Sequence, residues 1–286
     1  MSPDGKGGAG GRFKKAVNHA LERTTGHQIT RVRVEPTRRH RVNRLVTRPT
    51  FIIAPVRSGS TLLRVILDSH SEICAPHELH LRTMHVRVTE YGQRAVEQIG
   101  LDERALEHLL WDRVLHRELA ASGKKIIVEK TPNTVFGWDR LQEAWPRARF
   151  IFLLRHPASI ADALGRVRDG AANKTFDESE VVERIREYTE QVEQARSNLP
   201  GLTVKYEELV KEPERVVSGI CRFLEVEWEP AMLDYGAFRH GPYVPRLGDW
   251  GPKIRSGHID SDIVVPADDQ VPEALRPISA AWDYLS

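Results

Sequence analysis

Cysteine is scarce: two in 286 residues, Cys74 and Cys221, each in an apolar stretch and without metal-ligand spacing. That excludes a disulfide scaffold and predicts two reduced core thiols in a cytoplasmic protein. No apolar run reaches the length of a membrane span, and the N-terminus lacks the apolar stretch of a signal peptide. No internal repeat is present. His77-Glu78-Leu79-His80 approaches the zinc pattern H-E-x-x-H, but that pattern needs histidine where Leu81 stands.

Charge is present in quantity and unevenly placed. The net value is +2, yet residues 1–48 carry 12 Lys/Arg against 3 Asp/Glu, while the remainder carries 30 against 37. We read residues 1–48 as a basic, partly disordered arm with a helix over 13–25, and residues 49–286 as one domain. Such an arm suits nucleic acid or an anionic membrane surface. It has no interleaved aromatics and no nucleic-acid motif, so a solvated arm on the acidic body is the favoured reading. No nucleic-acid partner is expected, and peripheral membrane contact stays open. Arg far outnumbers Lys, as in a GC-rich source.

The chain is organised around Phe51–Leu67, FIIAPVRSGSTLLRVIL. A strand-length apolar run leads into the turn Arg57-Ser58-Gly59-Ser60-Thr61, and apolar residues then recur at helical spacing. Strand, small-residue turn and helix start make a phosphate cradle, because the first N–H groups of a helix lack internal partners. The nucleotide P-loop G-x-x-x-x-G-K-[ST] is the nearest general pattern. Here Ala54 replaces its first glycine, Gly59 keeps the second, Ser60 replaces the lysine, and Thr61 keeps the hydroxyl. The cation sits instead at Arg57, which points to a different phosphorylated donor. A ligand-free strand-to-helix turn is the bland alternative.

Further buried-type strands are read at Lys125–Val128, Arg149–Leu154 and Leu202–Tyr206. A helix is expected over 102–121, with Leu106, Leu109, Leu110, Val114 and Leu115 on one face. Pro157 and Pro213 should open helices, Asp177 to Glu180 should form a capping box, and Pro277 should bend or interrupt a last helix over 272–285. Four apolar strands separated by helices predict an α/β fold, P-loop-like and three-layered, with a central parallel sheet flanked by helices. Ligands in such sheets bind beyond the carboxyl ends of the strands. That rule gathers Arg57 to Thr61, Glu129 to Asn133, Arg155 to Pro157, and Tyr206-Glu207 on one edge.

Together these residues resemble the sulfotransferases that use 3′-phosphoadenosine-5′-phosphosulfate (PAPS), notably bacterial small-molecule members and the tyrosylprotein branch. Pro55 to Leu63 is similar to the family's 5′-phosphosulfate loop, and Phe150 to Pro157 to its 3′-phosphate strand and turn. Val204 to Val210, with Pro213 and Phe223-Leu224, resembles its "YEDLV…P…FLG" region. Lys253-Ile254-Arg255-Ser256-Gly257 lies where that branch folds a late loop over the donor. One departure is Ala163, where the family usually has a serine. The 3′-phosphate would then lean on Arg155, Arg166 or Arg168, Lys253 and Arg255; Ser159 is the alternative substitute, which spacing alone does not support.

The resemblance implies transfer of a sulfuryl group from PAPS to a hydroxyl of a small metabolite, glycan or glycolipid, with no metal required. In-line attack needs a base and cations aimed at the leaving oxygen. It implies Glu78 as base, with burial raising its proton affinity, and Lys130 with Arg57 at the leaving oxygen. His77 and His80 compete as base, and Lys130 could instead be a surface lysine paired with Glu129. Donor contacts are expected from Arg57, Ser58, Gly59, Ser60, Thr61, Leu62, Arg155, Tyr206, Lys253, Arg255, Ser256 and Gly257. Tyr206 either stacks on adenine or is half-buried core. Segments 79–122, 165–180 and 236–250 would wall the acceptor, with Trp111, Phe176, Tyr235, Phe238, Tyr243 and Trp250 as candidate aromatics. The rivals are a P-loop kinase using ATP and Mg²⁺, and a non-catalytic binder working through the basic arm.

Overall fold

Period-two alternation in the apolar strands decides the layering. In the computed structural model, Ile52, Val128, Ile151, Leu153 and Val204 face one core, together with Leu63, Ile66, Val217 and Ile220. Phe51, Ile53, Ile127, Phe150 and Phe152 face the other, with Trp111, Leu115, Trp145 and Val192. Both faces of the sheet are therefore covered, the setting that parallel strands require. The structure describes residues 43–166, 168–169, 174–175, 177–241, 244, 247–248 and 251–285. The arm over 1–42 with its expected helix, the side chain of Arg168, and Phe176, Tyr243 and Trp250 lie outside the described residues.

The strands are β1 Thr50–Ile53, β2 Ile73–Cys74, β3 Ile126–Glu129, β4 Arg149–Leu154, β5 Arg168–Asp169, β6 Lys174–Thr175 and β7 Leu202–Lys205. The main sheet runs β2-β3-β1-β4-β7, with parallel pairing throughout, and β5-β6 is a separate antiparallel ribbon. β1 is central, its Phe51 in register with Phe150 of β4 and Glu129 of β3. The exits of β1, β3, β4 and β7 thus lie along one edge.

Several local readings hold. Helix α1, Ser60–Asp68, follows the β1 turn, and Pro157 and Pro213 sit in the first turns of their helices. Asp177 and Glu180 make both bonds of the capping box. Cys74 and Cys221 are buried and free. No described helix is long and apolar enough to cross a membrane.

Four readings need correcting or narrowing. The sheet has a fifth strand, β2, whose two residues are too few to show a period. The last strand stops at Lys205, and Tyr206 opens a helix. The last helical segment is split at Pro277 and not bent: a 3-10 turn over Glu273–Leu275 gives way to the helix Arg276–Ala281, in whose first turn the missing N–H of Pro277 costs nothing. In the helix Glu103–Ser122 the buried face carries Glu107, His108, Trp111, Asp112 and Leu115, while Leu110 is 37% exposed. Partners explain this polar face. Asp112 accepts the backbone N–H of Leu45 at 2.7 Å and of Val46 at 3.1 Å, and the indole N–H of Trp145 at 3.2 Å. Trp111 is consequently core and no acceptor wall.

Candidate active site

The turn after β1 curls through two left-handed residues, Arg57 at φ 60° and Gly59 at φ 87°. Only glycine takes the second without strain, and space enforces the choice: a Cβ at Gly59 would lie 2.3 Å from the Tyr206 ring. Ser60, Thr61 and Leu62 form the buried first turn of α1, where the helix presents its unpaired N–H groups. Arg155, leaving β4, donates to the Arg57 carbonyl at 2.7 Å and lies 4.6 Å over the Tyr206 ring. Tyr206 leaves β7. It therefore packs between the turn and Arg155, and this packing braces the cradle.

β3 delivers the second half of the site. Lys130 is 1% exposed; its ammonium donates to Glu78 Oε1 at 2.5 Å and reaches Thr61 Oγ1 at 3.4 Å. A surface lysine paired with Glu129 is thus overturned: the apolar strand carries Lys130 inward, and its partner is Glu78. Burial lowers its proton affinity, and the Glu78 charge opposes this. His80 Nε2 stands 3.4 Å from Glu78 Oε2. His77 is exposed, its ring turned to the Glu78 carbonyl at 3.0 Å. Of the two histidines, only His80 adjoins the carboxylate.

The two halves meet in a cleft of about 1070 Å³, lined by Arg57, Gly59, Ser60, Thr61, Leu62, Glu78, Lys130, Arg155, Tyr206 and Lys253 among the expected residues. Ser159, Ala163 and Arg166 line it as well, on the helix that follows Arg155. Ser58 is fully buried and lies outside the lining. Arg255, Ser256 and Gly257 are likewise not among the lining residues. The Ser256 hydroxyl donates to the Lys253 carbonyl at 2.7 Å, while Gly257, at φ 76°, packs so closely that a Cβ would sit 2.8 Å from Gly236 Cα. These residues shape the late loop, and Lys253 is its cation on the cleft, paired with Asp260 at 2.6 Å. Tyr235 lines the cleft and donates to the His258 carbonyl at 2.9 Å, whereas Phe238 does not line it.

Glu129, expected at the strand-exit edge and as a possible partner of Lys130, was given no chemical role of its own by the sequence. The group is buried, and desolvation pushes it up to about 7 against the pull of Thr131 and the Leu79 N–H. A carboxylate ending an otherwise apolar strand was the available signal. Below the usual carboxylate range Glu129 is protonated folded or unfolded; as pH rises from 4.5 toward about 7, only the unfolded chain releases its proton. Stability therefore falls across that window, by on the order of 3 kcal/mol for this group. Urea unfolding of Glu129→Gln should show that much less loss between those pH values than the wild type. An unchanged slope would contradict the assignment.

A P-loop-like parallel sheet with a cationic cleft at the carboxyl ends of its strands has its ligand-binding edge there. Residues 49–230 match the model of the sulfotransferase family, and the chain belongs to that family of enzymes. Protein-tyrosine sulfotransferase 1 of Danio rerio is 28% identical over 205 residues, covering 65% of this chain and 55% of the relative. Nodulation protein NoeE of Sinorhizobium fredii is 32% identical over 126 residues, covering 40% and 30%. The chain thus spans about half or less of these relatives' lengths. The sulfotransferase domain from the curacin biosynthetic pathway shares the fold, with a TM-score of 0.58 at 22% identity over 85% of this chain and 100% of that one.

Proposed function

We propose that this sulfotransferase takes its sulfuryl group from PAPS and passes it to a hydroxyl of a small metabolite, glycan or glycolipid. The observation carrying this reading is the buried Glu78–Lys130 pair beside Thr61, at the mouth of the amide cradle. The cradle fits a phosphosulfate: Gly59 leaves no side chain in the way, Ser60 and Thr61 offer N–H and hydroxyl donors, and Arg57 adds charge. Arg155, Arg166 and Lys253 suit the 3′-phosphate and stand in for the residue missing at Ala163.

In this mechanism the acceptor oxygen attacks sulfur as the bond to the bridging oxygen breaks. Glu78 takes the acceptor proton. Lys130 and Arg57 offset the charge growing on the leaving nucleotide. Two free buried thiols suit a reducing, cytoplasmic setting.

Cell extract incubated with the protein and PAPS should yield products heavier by one SO₃ in mass spectrometry. Thermal shift should show stabilisation by PAPS and none by ATP-Mg²⁺; the reverse would favour the kinase. The arm is proposed to be dispensable for donor binding. The deletion that tests this stops at residue 42, because Leu45 and Val46 are bonded to Asp112. The shortened chain should keep PAPS affinity within about twofold, since the cradle's charges remain; abolished binding would favour a binder working through the arm.

A further inference from the structure

Directly behind the base, the chain after Glu78 is tied to the chain around Lys130. Lys130 holds the Glu78 carboxylate at 2.5 Å. Its predecessor Glu129 is buried, with the Leu79 N–H near enough to favour its charged form. Its successor Thr131 receives the backbone N–H of His80 at 3.2 Å, and donates its own hydroxyl to Glu129 Oε1 at 2.5 Å. Residues 78–80 belong to no strand or helix, and His80 sits at φ 51°, a conformation that costs energy outside glycine. Glu129 and Thr131 are 1% and 2% exposed, so water does not supply these bonds. Thr131 uses its single hydroxyl both as donor and as acceptor, a role valine cannot fill.

We propose that Glu129 and Thr131 are positioning residues for the base: they fix the backbone just after Glu78 so that its carboxylate stays seated on Lys130 and aimed into the cleft. Neither lines the cleft, and neither contacts the cradle residues 57–62 in the bonds given above. Their effect should therefore fall on turnover and spare donor binding. This rests on Glu78 acting as base. Misplacing a reacting group by about 1 Å costs up to about a hundredfold in rate.

Thr131→Val keeps the shape and removes both bonds. Turnover is read as label incorporated from radiolabelled PAPS into cell extract, and donor-site affinity by calorimetry with 3′-phosphoadenosine-5′-phosphate. Incorporation should fall roughly tenfold or more with affinity within about twofold, and Thr131→Ser should restore it to within about threefold. The His80 amide should exchange at least about tenfold faster in the valine variant and not in the serine variant. If the valine variant does not fold, Thr131→Ala gives the same readouts. Wild-type incorporation by the valine variant overturns the proposal, as does a parallel loss of affinity or an unrescued serine variant. If the wild type transfers no label, the reading of function has failed instead, and amide exchange at His80 alone decides whether the clamp exists.

Discussion

Glu78→Gln should lower turnover at least about a hundredfold while leaving PAPS affinity close to wild type. Glutamine keeps the length and one carbonyl oxygen, so the Lys130 ammonium retains an acceptor where it now finds Glu78 Oε1 at 2.5 Å. What it loses is the capacity to take a proton. It also leaves Lys130, 1% exposed, without a counter-charge, so some thermal stability should be lost and then regained when the donor's phosphates arrive. Turnover equal to wild type would remove Glu78 from the chemistry and move attention to His80, whose Nε2 lies 3.4 Å from Glu78 Oε2.

Gly59→Ala should abolish donor binding, with affinity falling by about a hundredfold or more. Two independent effects act together. The residue sits at φ 87°, where an L side chain costs about 1 kcal/mol, and the new methyl carbon would lie 2.3 Å from Tyr206 Cδ2. Tyr206 is held by the Arg155 guanidinium at 4.6 Å, so it cannot yield without moving Arg155, which in turn holds the Arg57 carbonyl. One methyl group therefore disturbs three strand exits. Gly59→Ala combined with Tyr206→Ala relieves the clash and should recover part of the folding stability but little affinity. Wild-type calorimetry for Gly59→Ala would mean that the donor binds elsewhere.

Much of this was legible in the chain itself. RFIFLL became β4 with the expected bounds, because a wholly buried strand needs only an apolar run and turn signals. The cradle could be read because Gly59 and the hydroxyls after it are local features. Contacts between distant segments could not. Lys130 and Glu78 are 52 positions apart, and nothing near either names the other. The helix Glu103–Ser122 was legible, but not the polar part of its buried face: Asp112 makes sense there only once Leu45, Val46 and Trp145 are seen around it. In the late loop KIRSG the internal bond of Ser256 and the close packing of Gly257 against Gly236 were likewise invisible in the sequence.

The order of the sheet bears on how the chain emerges from the ribosome. β1 needs β3 on one side and β4 on the other, yet Ile126 and Arg149 are synthesised long after Thr50. Until translation has passed Glu129 the apolar segment FII lacks both neighbours, and until it has passed Leu154 one ladder edge stays open to other chains. Chaperone dependence and aggregation in fragments ending before that residue are the expected result, with solubility rising sharply once β4 is included.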